Sequence, residues 1–442
     1  MGRSLVERAV NLDAFLHPAF EVRAGERTWD ARAVAHEARA RASAIERVGG
    51  RGSVVEIPAD DPASTLAWLG AAWAAGRAPL ARAGLEAPRV ASLPETDAGL
   101  VLHTSGSTGV PKYPEFTLDA VARSAQRIAA YLGLSPRDRV ALLQPLEHGY
   151  TLVGQLLASA VAGATLVCAR SPYPDERAER IVEGKVTVLS GVPFVLRELV
   201  DFGLEGCPLR VIGSAGAALP APLAERLLAE FPGVVVWNQY GCTEAGPRLA
   251  ACPSTDAAFA RGSVGRPIAG VTLSTSNDSG AEGELLFTTD AAMRGYLGNP
   301  AATEAARAFG AWRTGDVGRI DADGYVYVTG RTDDIVKVRG LKVSLCAVQS
   351  AAERCGAVAA LATLVEPSPD GAGVGEEPCL CLVYEAPADI PRAALAEHLP
   401  IEALPSRSLR VERLPRLPNG KLDRQAIRSF TRPLARARLL RT

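Results

Sequence analysis

Short apolar runs recur through the first half of this chain, each too brief for a helix, with stretches of helical spacing between most of them. Val54–Ile57, Val101–His103, Val140–Leu143, Ala164–Cys168, Val186–Leu189, Leu209–Ile212 and Val234–Trp237 are such runs. A run of this kind, without polar alternation, suits a strand buried on both faces, and helices between such strands carry the chain back across a sheet. Residues 29–47 and Pro62–Gly76, both rich in alanine, read as two of those helices. The pattern predicts an α/β core with a mainly parallel sheet.

After about residue 262 the pattern changes. Gly262, Gly265, Asn277–Gly280 and Glu282–Gly283 crowd turn signals together, and Glu284–Thr288 and Tyr325–Val328 read as strands. The expected organisation is an N-terminal core over 1–332, with a β-rich subdomain at about 262–332, and a small α+β domain over 333–442. Pro367–Pro378 reads as an exposed loop, and the basic tail from Arg432 as a frayed helix or disorder. No internal repeat is evident.

Lys plus Arg is 48 and Asp plus Glu 49, so the net charge of -1 disfavours a nucleic-acid or polybasic membrane surface. No window offers the roughly 18 uncharged apolar residues of a membrane span. The start of the chain lacks the apolar core of a signal peptide. The eight cysteines are scattered and form no Cys-x-x-Cys, so structural zinc is not expected, and reduced thiols in a cytoplasmic protein are. Only five of the basic residues are lysine: Lys112, Lys185, Lys337, Lys342 and Lys421. Where Arg is the default surface charge, a lysine in a Gly-rich or Pro-Asn-Gly setting becomes a candidate for work that needs a compact ammonium.

Thr104-Ser105-Gly106-Ser107-Thr108-Gly109-Val110-Pro111-Lys112 follows a short apolar run and is the densest chemical signal. Its glycines free backbone N–H groups to turn toward an anion, its hydroxyls add donors and Lys112 adds charge, which together make a cradle for polyphosphate. It is not a Walker loop, because Val110 and Pro111 separate Gly109 from the lysine. No G-x-G-x-x-G stands at a first strand–helix turn, so a dinucleotide dehydrogenase has little support.

With four further motifs the chain resembles the AMP-forming adenylating enzymes: acyl- and aryl-CoA ligases, stand-alone adenylation enzymes and domains, and luciferases. The motifs are Asn238-Gln239-Tyr240-Gly241-Cys242-Thr243-Glu244, Trp312–Asp316 with its Thr-Gly-Asp, Gly330–Gly340 around a hinge, and Pro418-Asn419-Gly420-Lys421. The resemblance covers nearly the whole chain. It implies ATP and Mg²⁺, with the loop Thr104–Lys112 on the phosphates, Thr243 on the α-phosphate and Glu244 as a metal ligand. It further implies Tyr240 against adenine, Asp316 on the ribose, Arg331 as a ribose or phosphate contact, and Lys421 as the mobile catalytic charge. Each residue has a plainer reading alone: Tyr240 as a core aromatic, Asp316 as a turn residue, Glu244 and Lys421 as solvated charges. The joint pattern demotes those readings. In such enzymes the C-terminal domain rotates between two half-reactions; Asp333 matches the hinge, and Gly340 the loop that faces the site when a thiol attacks.

Gln144–Tyr150 resembles the segment of acid–CoA ligases that brings a histidine to the acid, which assigns His148 and Gly149 to the substrate pocket. Gly213–Pro220 resembles the segment lining adenine and acid, so Gly213, Gly241 and Gly246 are expected to border the substrate and Gly216, Ala217 and Ala218 the nucleotide. Small residues there leave room for a flat or extended acyl group, which favours an aryl or unsaturated acid. Amino-acid-activating members place an Asp just after the position matched by His148; Gly149 stands there instead, which disfavours an α-amino acid, while Glu147 keeps that alternative open. CoA or a carrier protein acting in trans is the expected acceptor. Alternatives are a stand-alone adenylation enzyme of secondary metabolism that loads a separate carrier, transfer to an amine, activation of an unusual oxyacid, and a nucleotide-binding protein that has lost its chemistry. Three departures stand out: a shortened stretch between Gly76 and Thr104, Ala347 and Gln349 where glutamates are usual, and no carrier segment following the last motif.

Overall fold

The computed structural model describes residues 12, 15–104, 111–277, 282–338, 341–365, 379–417 and 420–436. It divides the chain into two compact units, one of residues 1–274, 286–314 and 321–326, the other of 275–285, 315–320 and 327–442. The architecture is the expected mixture of α/β layers, a β-rich region and a small α+β region.

The first unit is organised by a nine-stranded sheet. Its centre is parallel: Val235–Tyr240, Val211–Ser214, Val188–Gly191, Arg139–Leu142, Thr165–Cys168 and Glu21–Ala24 lie side by side in that order. Val188–Gly191 and Val211–Ser214 are buried along their whole length, which explains why they show no alternation in sequence. Antiparallel strands finish both edges, Arg27–Asp30 at one and Ala250–Pro253 with Arg266–Pro267 at the other. Helices Pro174–Glu183, Pro193–Phe202 and Ala221–Glu230 bury Ile181, Leu196, Leu199 and Leu227 in one apolar cluster with Leu189, Ile212 and Val236 of the sheet.

Two of the apolar runs leave this sheet. Val54–Pro58 pairs with Ala78–Arg82 and Arg89–Val90, and Leu100–Val101 pairs with Pro114–Phe116 and, through it, Gly295–Tyr296. Residues 29 and 30, expected at a helix start, belong to a strand instead. Asp30 ends it and caps helix Ala31–Glu46, accepting from the Ala33 N–H at 2.7 Å. Asp61 caps Pro62–Ala74 in the same way, with proline at the first helical position.

From Gly149 to Ala162 the chain is one helical run whose middle, Leu152–Leu157, is π-helical. A π section adds a residue per turn and rotates the side chains that follow it. A five-stranded sheet is formed by Val271–Thr275, Gly283–Thr289, Ala311–Ile320, Arg307–Ala308 and Val326–Arg331. In the second unit Ala359–Val365, Cys379–Glu385 and Arg407–Val411 make a mixed sheet. Helix Leu345–Arg354, capped by Ser344, packs Val348 and Ala351 against Leu380 and Leu382 of it. Helix Arg424–Arg436 sends Ile427 against Leu361 and Val383, so the tail from Arg432 is helical as far as Arg436. The segment 366–378 lies outside the described residues. Among the described residues, no helix is long and apolar enough to cross a membrane.

Candidate functional site

The loop that looked like a phosphate cradle begins and ends on a tied pair. Thr104 N–H donates to the Lys112 carbonyl at 2.9 Å and Lys112 N–H to the Thr104 carbonyl at 3.3 Å. Ser105, Gly106, Ser107, Thr108 and Gly109 lie outside the described residues. The Lys112 ammonium stands 5.1 Å from the centre of the Tyr296 ring. The Tyr296 hydroxyl donates to Glu244 Oε1 at 2.8 Å. Burial first, and then the Glu244 charge and that hydrogen bond, push the phenol well above its usual range, so it stays a donor.

Glu244 sits on the single turn Thr243–Ala245 beyond strand Val235–Tyr240, and its carbonyl accepts from Met293 N–H at 2.9 Å. Residues 293–297 are thereby laced to Glu244 and to the strand at Pro114, since Arg294 and Leu297 donate to the Glu115 and Tyr113 carbonyls. Among the described residues no cluster of three or more His, Cys, Asp or Glu would hold a metal alone. One carboxylate beside a phosphate-type loop fits Mg²⁺, which takes few protein oxygens and fills its shell with phosphate and water.

Tyr240, Asn238 and Gln239 are buried at the end of their strand. Asn238 Nδ2 donates to the Ser263 carbonyl at 3.0 Å, a structural use of that residue. Gly213 is packed around by polar side chains: a Cβ there would lie 2.6 Å from Ser190 Oγ and 2.8 Å from Gln239 Nε2. A Cβ on Gly241 would lie 2.8 Å from Arg248 Cα and nearer still to the Pro247 carbonyl oxygen. Gly246 has φ +76°, a conformation that favours glycine, and precedes a cis bond to Pro247. Gly216, Ala217 and Ala218 are exposed just beyond strand Val211–Ser214, and Cys242 and Thr243 are half-buried.

His148 opens the helical run at Gly149, its ring 5.7 Å from that of His103, a neighbour the sequence reading did not single out. Burial, aided by Arg82 and opposed by Glu147, lowers the His103 pKa and keeps that ring neutral. A Cβ on Gly149 would meet Leu102 Cδ1 at 2.9 Å, with Thr243 and Pro247 beyond it, so the residue is a point of close packing.

In the second unit the buried Asp316 accepts from Arg331 Nη1 at 2.8 Å, and Arg331 Nε donates to Asp333 at 3.0 Å. Lys421 stands in the same neighbourhood. It is surface-accessible yet surrounded closely enough for burial to lower its pKa; the Arg331 charge lowers it further and the Asp316 carboxylate pulls it back. The Lys421 carbonyl accepts from the Leu417 N–H at 2.8 Å. Beside Asp333, the buried Asp334 is gripped by both Arg424 nitrogens at 2.7 and 3.0 Å, a pair not foreseen from sequence. Gly340 lies outside the described residues, as do Pro418 and Asn419.

Comparisons with known proteins bear on the fold and the family. A family model described as AMP-binding enzyme matches residues 17–297. Phenyloxazoline synthase MbtB of Mycobacterium sp. (strain MCS) is 31% identical over 356 residues, 76% of this chain. The match spans only 30% of that protein's length. Long-chain-fatty-acid–CoA ligase FadD13 of Mycobacterium tuberculosis is 27% identical over 387 residues, 85% of this chain and 75% of that protein. Among solved structures, O-succinylbenzoate coenzyme A synthetase (MenE) from Bacillus subtilis, in complex with ATP and magnesium ion, aligns with TM-score 0.77 and 20% identity. That alignment covers 96% of this chain and 98% of the other, and at this identity it speaks for the fold. The match to the family model extends over well more than half of the sequence, and on it the chain belongs to the AMP-binding enzyme family.

Proposed function

We propose that this protein activates a carboxylic acid with ATP and hands the acyl group to a thiol, as an acid–CoA ligase does. In the first step a carboxylate oxygen attacks the α-phosphorus, pyrophosphate leaves, and an acyl-adenylate remains. In the second a thiol attacks the acyl carbon, giving up its proton, and AMP leaves with the oxygen that joined it to the acid. The observation that carries the reading is Lys421 beside Asp316 and Arg331. A carboxylate approaching a triphosphate is one anion attacking another, and a positioned ammonium offsets that repulsion. Asp316 would hold the ribose hydroxyls, with Arg331 orienting it.

Lys112, Thr104 and the loop between them would hold the β- and γ-phosphates, and Thr243 the α-phosphate. Tyr240, with Gly216, Ala217 and Ala218 nearby, would bound the adenine. When bound, Mg²⁺ on Glu244 would neutralise triphosphate charge; Tyr296 keeps that carboxylate oriented. His148 would border the acid, for which an aryl or unsaturated chain is favoured. The segment beyond Asp333 would turn about that residue between the steps, bringing the loop at Gly340 to the acyl group for a thiol in a cytoplasmic setting. CoA is the expected acceptor, with a separate carrier protein or an amine as the alternatives.

The test is a pyrophosphate-release screen over aryl, fatty, hydroxy and amino acids with ATP–Mg²⁺, followed by product analysis with CoA, carrier or amine. Acid-dependent pyrophosphate and an acyl-CoA are expected. Release that is independent of acid, or phosphate and ADP in place of pyrophosphate and AMP, would contradict the reading.

A further inference from the structure

Arg248 follows the cis Gly246–Pro247 bond and is 4% exposed. An arginine cannot shed its charge in a protein, so one that is buried ordinarily has a carboxylate for a partner. Among the described residues Arg248 has no ion pair, and its Nε has no hydrogen-bond acceptor. Its guanidinium instead lies 5.0 Å from the centre of the Tyr150 ring. The buried Tyr150 and Tyr131 hydroxyls make no well-aligned hydrogen bond, but both stand close to the Arg248 guanidinium, and Tyr150 also neighbours Ser190; these neutral groups are the surroundings Arg248 has in place of a carboxylate. Burial pushes Tyr131 up to about 12, with Arg248 opposing, so neither tyrosine supplies the missing negative charge at neutral pH.

The surroundings are unusually short of hydrogen bonds for a protein interior. Gln155, on the π-helical section, donates its Nε2 to the Ser190 carbonyl at 3.0 Å, but its Oε1 has no partner. Gln239, 3% exposed, has neither amide atom paired. Ser190 and Gln239 both crowd the face of Gly213. Native interiors leave few such groups, and several of them on the strands and helix next to a buried cation that has no carboxylate partner among the described residues call for a polar, anionic ligand. The location agrees, because the backbone of Pro247 and Arg248 abuts Gly241, and Pro247 and Thr243 abut Gly149.

We infer that the acid taken by this site carries a second carboxylate, and that Arg248 is its partner at the far end of the acyl pocket, with Gln239 beside it. The inference rests on the adenylation reading for the identity of the site: one carboxylate of the ligand reacts, and the other neutralises Arg248. Arg248 is thus a specificity-determining residue for an aryl or unsaturated dicarboxylic acid.

The experiment compares matched acids, benzoate against isophthalate and terephthalate, and crotonate against fumarate and glutaconate, by ATP–pyrophosphate exchange and by thermal unfolding with and without each acid. For the wild type, kcat/KM for the best dicarboxylate should exceed that of its monocarboxylate partner at least tenfold. Arg248→Met should reverse the preference, and Arg248→Lys should restore part of it. The ligand-free Met variant should unfold at a higher temperature than the wild type, because an apolar side chain of similar volume removes an uncompensated buried charge. A Met variant that unfolds lower, or fails to fold, would show that Arg248 has a structural partner, and the inference would fall. Exchange confined to monocarboxylates would also overturn it while leaving the adenylation reading intact. No exchange with any acid, but an Arg248-dependent rise in unfolding temperature with a dicarboxylate, would keep the inference and sink the adenylation reading. No shift and no exchange with any dicarboxylate would end it.

Discussion

An ammonium crowded by a guanidinium and lowered by burial gives up its proton earlier than a free lysine does. Lys421 is in that state, with only Asp316 pulling the other way. Its charged form is present below the lowered pKa and is lost as pH rises through it, so pyrophosphate exchange should decline on the alkaline side before the ordinary lysine value of about 10.4. Exchange in Arg331→Gln, which removes the opposing cation, should decline at higher pH, whatever the variant's absolute rate. Identical alkaline limbs in the two proteins would count against Lys421 as the titrating group. Lys421→Ala should abolish exchange while leaving the fold, and the reaction of supplied acyl-adenylate with thiol, in place; undiminished exchange would remove Lys421 from the mechanism. Lys421 stood out in sequence because lysine is rare here and this one stands in a Pro-Asn-Gly setting. Tyr296 and Arg248 did not. Tyr296 meets Glu244 only because Gly295–Tyr296 pairs with Pro114–Phe116, and an unpaired arginine looks like any other in a chain that uses Arg as its default charge.

At the scale of elements, the strand and turn that carry Asn238–Glu244 depend on a close backbone crossing at Gly241. Adding a methyl there forces Pro247 and Arg248 to move. Gly241→Ala should cost about 1–3 kcal/mol, the usual range for overpacking a tight interior, read by denaturant unfolding, and should raise KM for the acid more than KM for ATP. An equal rise in both KM values would mean that the crossing does not shape the acid pocket. Arg424→Leu leaves the buried Asp334 carboxylate unpaired. It should destabilise the second unit by about 1–3 kcal/mol, the cost of an unmet buried polar group, and an unchanged unfolding curve would show that the pair contributes nothing.

Five of the six parallel strands were legible to within a few residues because burial leaves a nearly unbroken apolar run; Glu21–Ala24 was not, since its polar residues and partial exposure give no such run. The edge strand Arg27–Asp30 was not, because its exposed polar residues run straight into a helix that begins at Ala31. The separation of Val54–Pro58 and Leu100–Val101 into small sheets was hidden too, since a buried strand reads the same in any sheet.

For the molecule as a whole, the proposed function requires two successive reactions at one site and a swing of the C-terminal segment about Asp333. Proline at that position fixes φ and removes the backbone N–H. Asp333→Pro should therefore slow thioester formation more than adenylation in single-turnover measurements, and equal slowing of both would argue against alternation. Order along the chain made the family legible, because five motifs in sequence constrain far more than any one of them. The acid and the acceptor were not legible at this scale, since they depend on side chains brought together from distant elements.

In the proposed reaction the acid's own oxygen ends on AMP. Turnover of an ¹⁸O-labelled carboxylic acid with ATP–Mg²⁺ and thiol, read by mass spectrometry of the nucleotide, tests it. One labelled oxygen is expected in AMP and none in pyrophosphate; label in inorganic phosphate alongside ADP, or AMP without label, would rule the proposed reaction out.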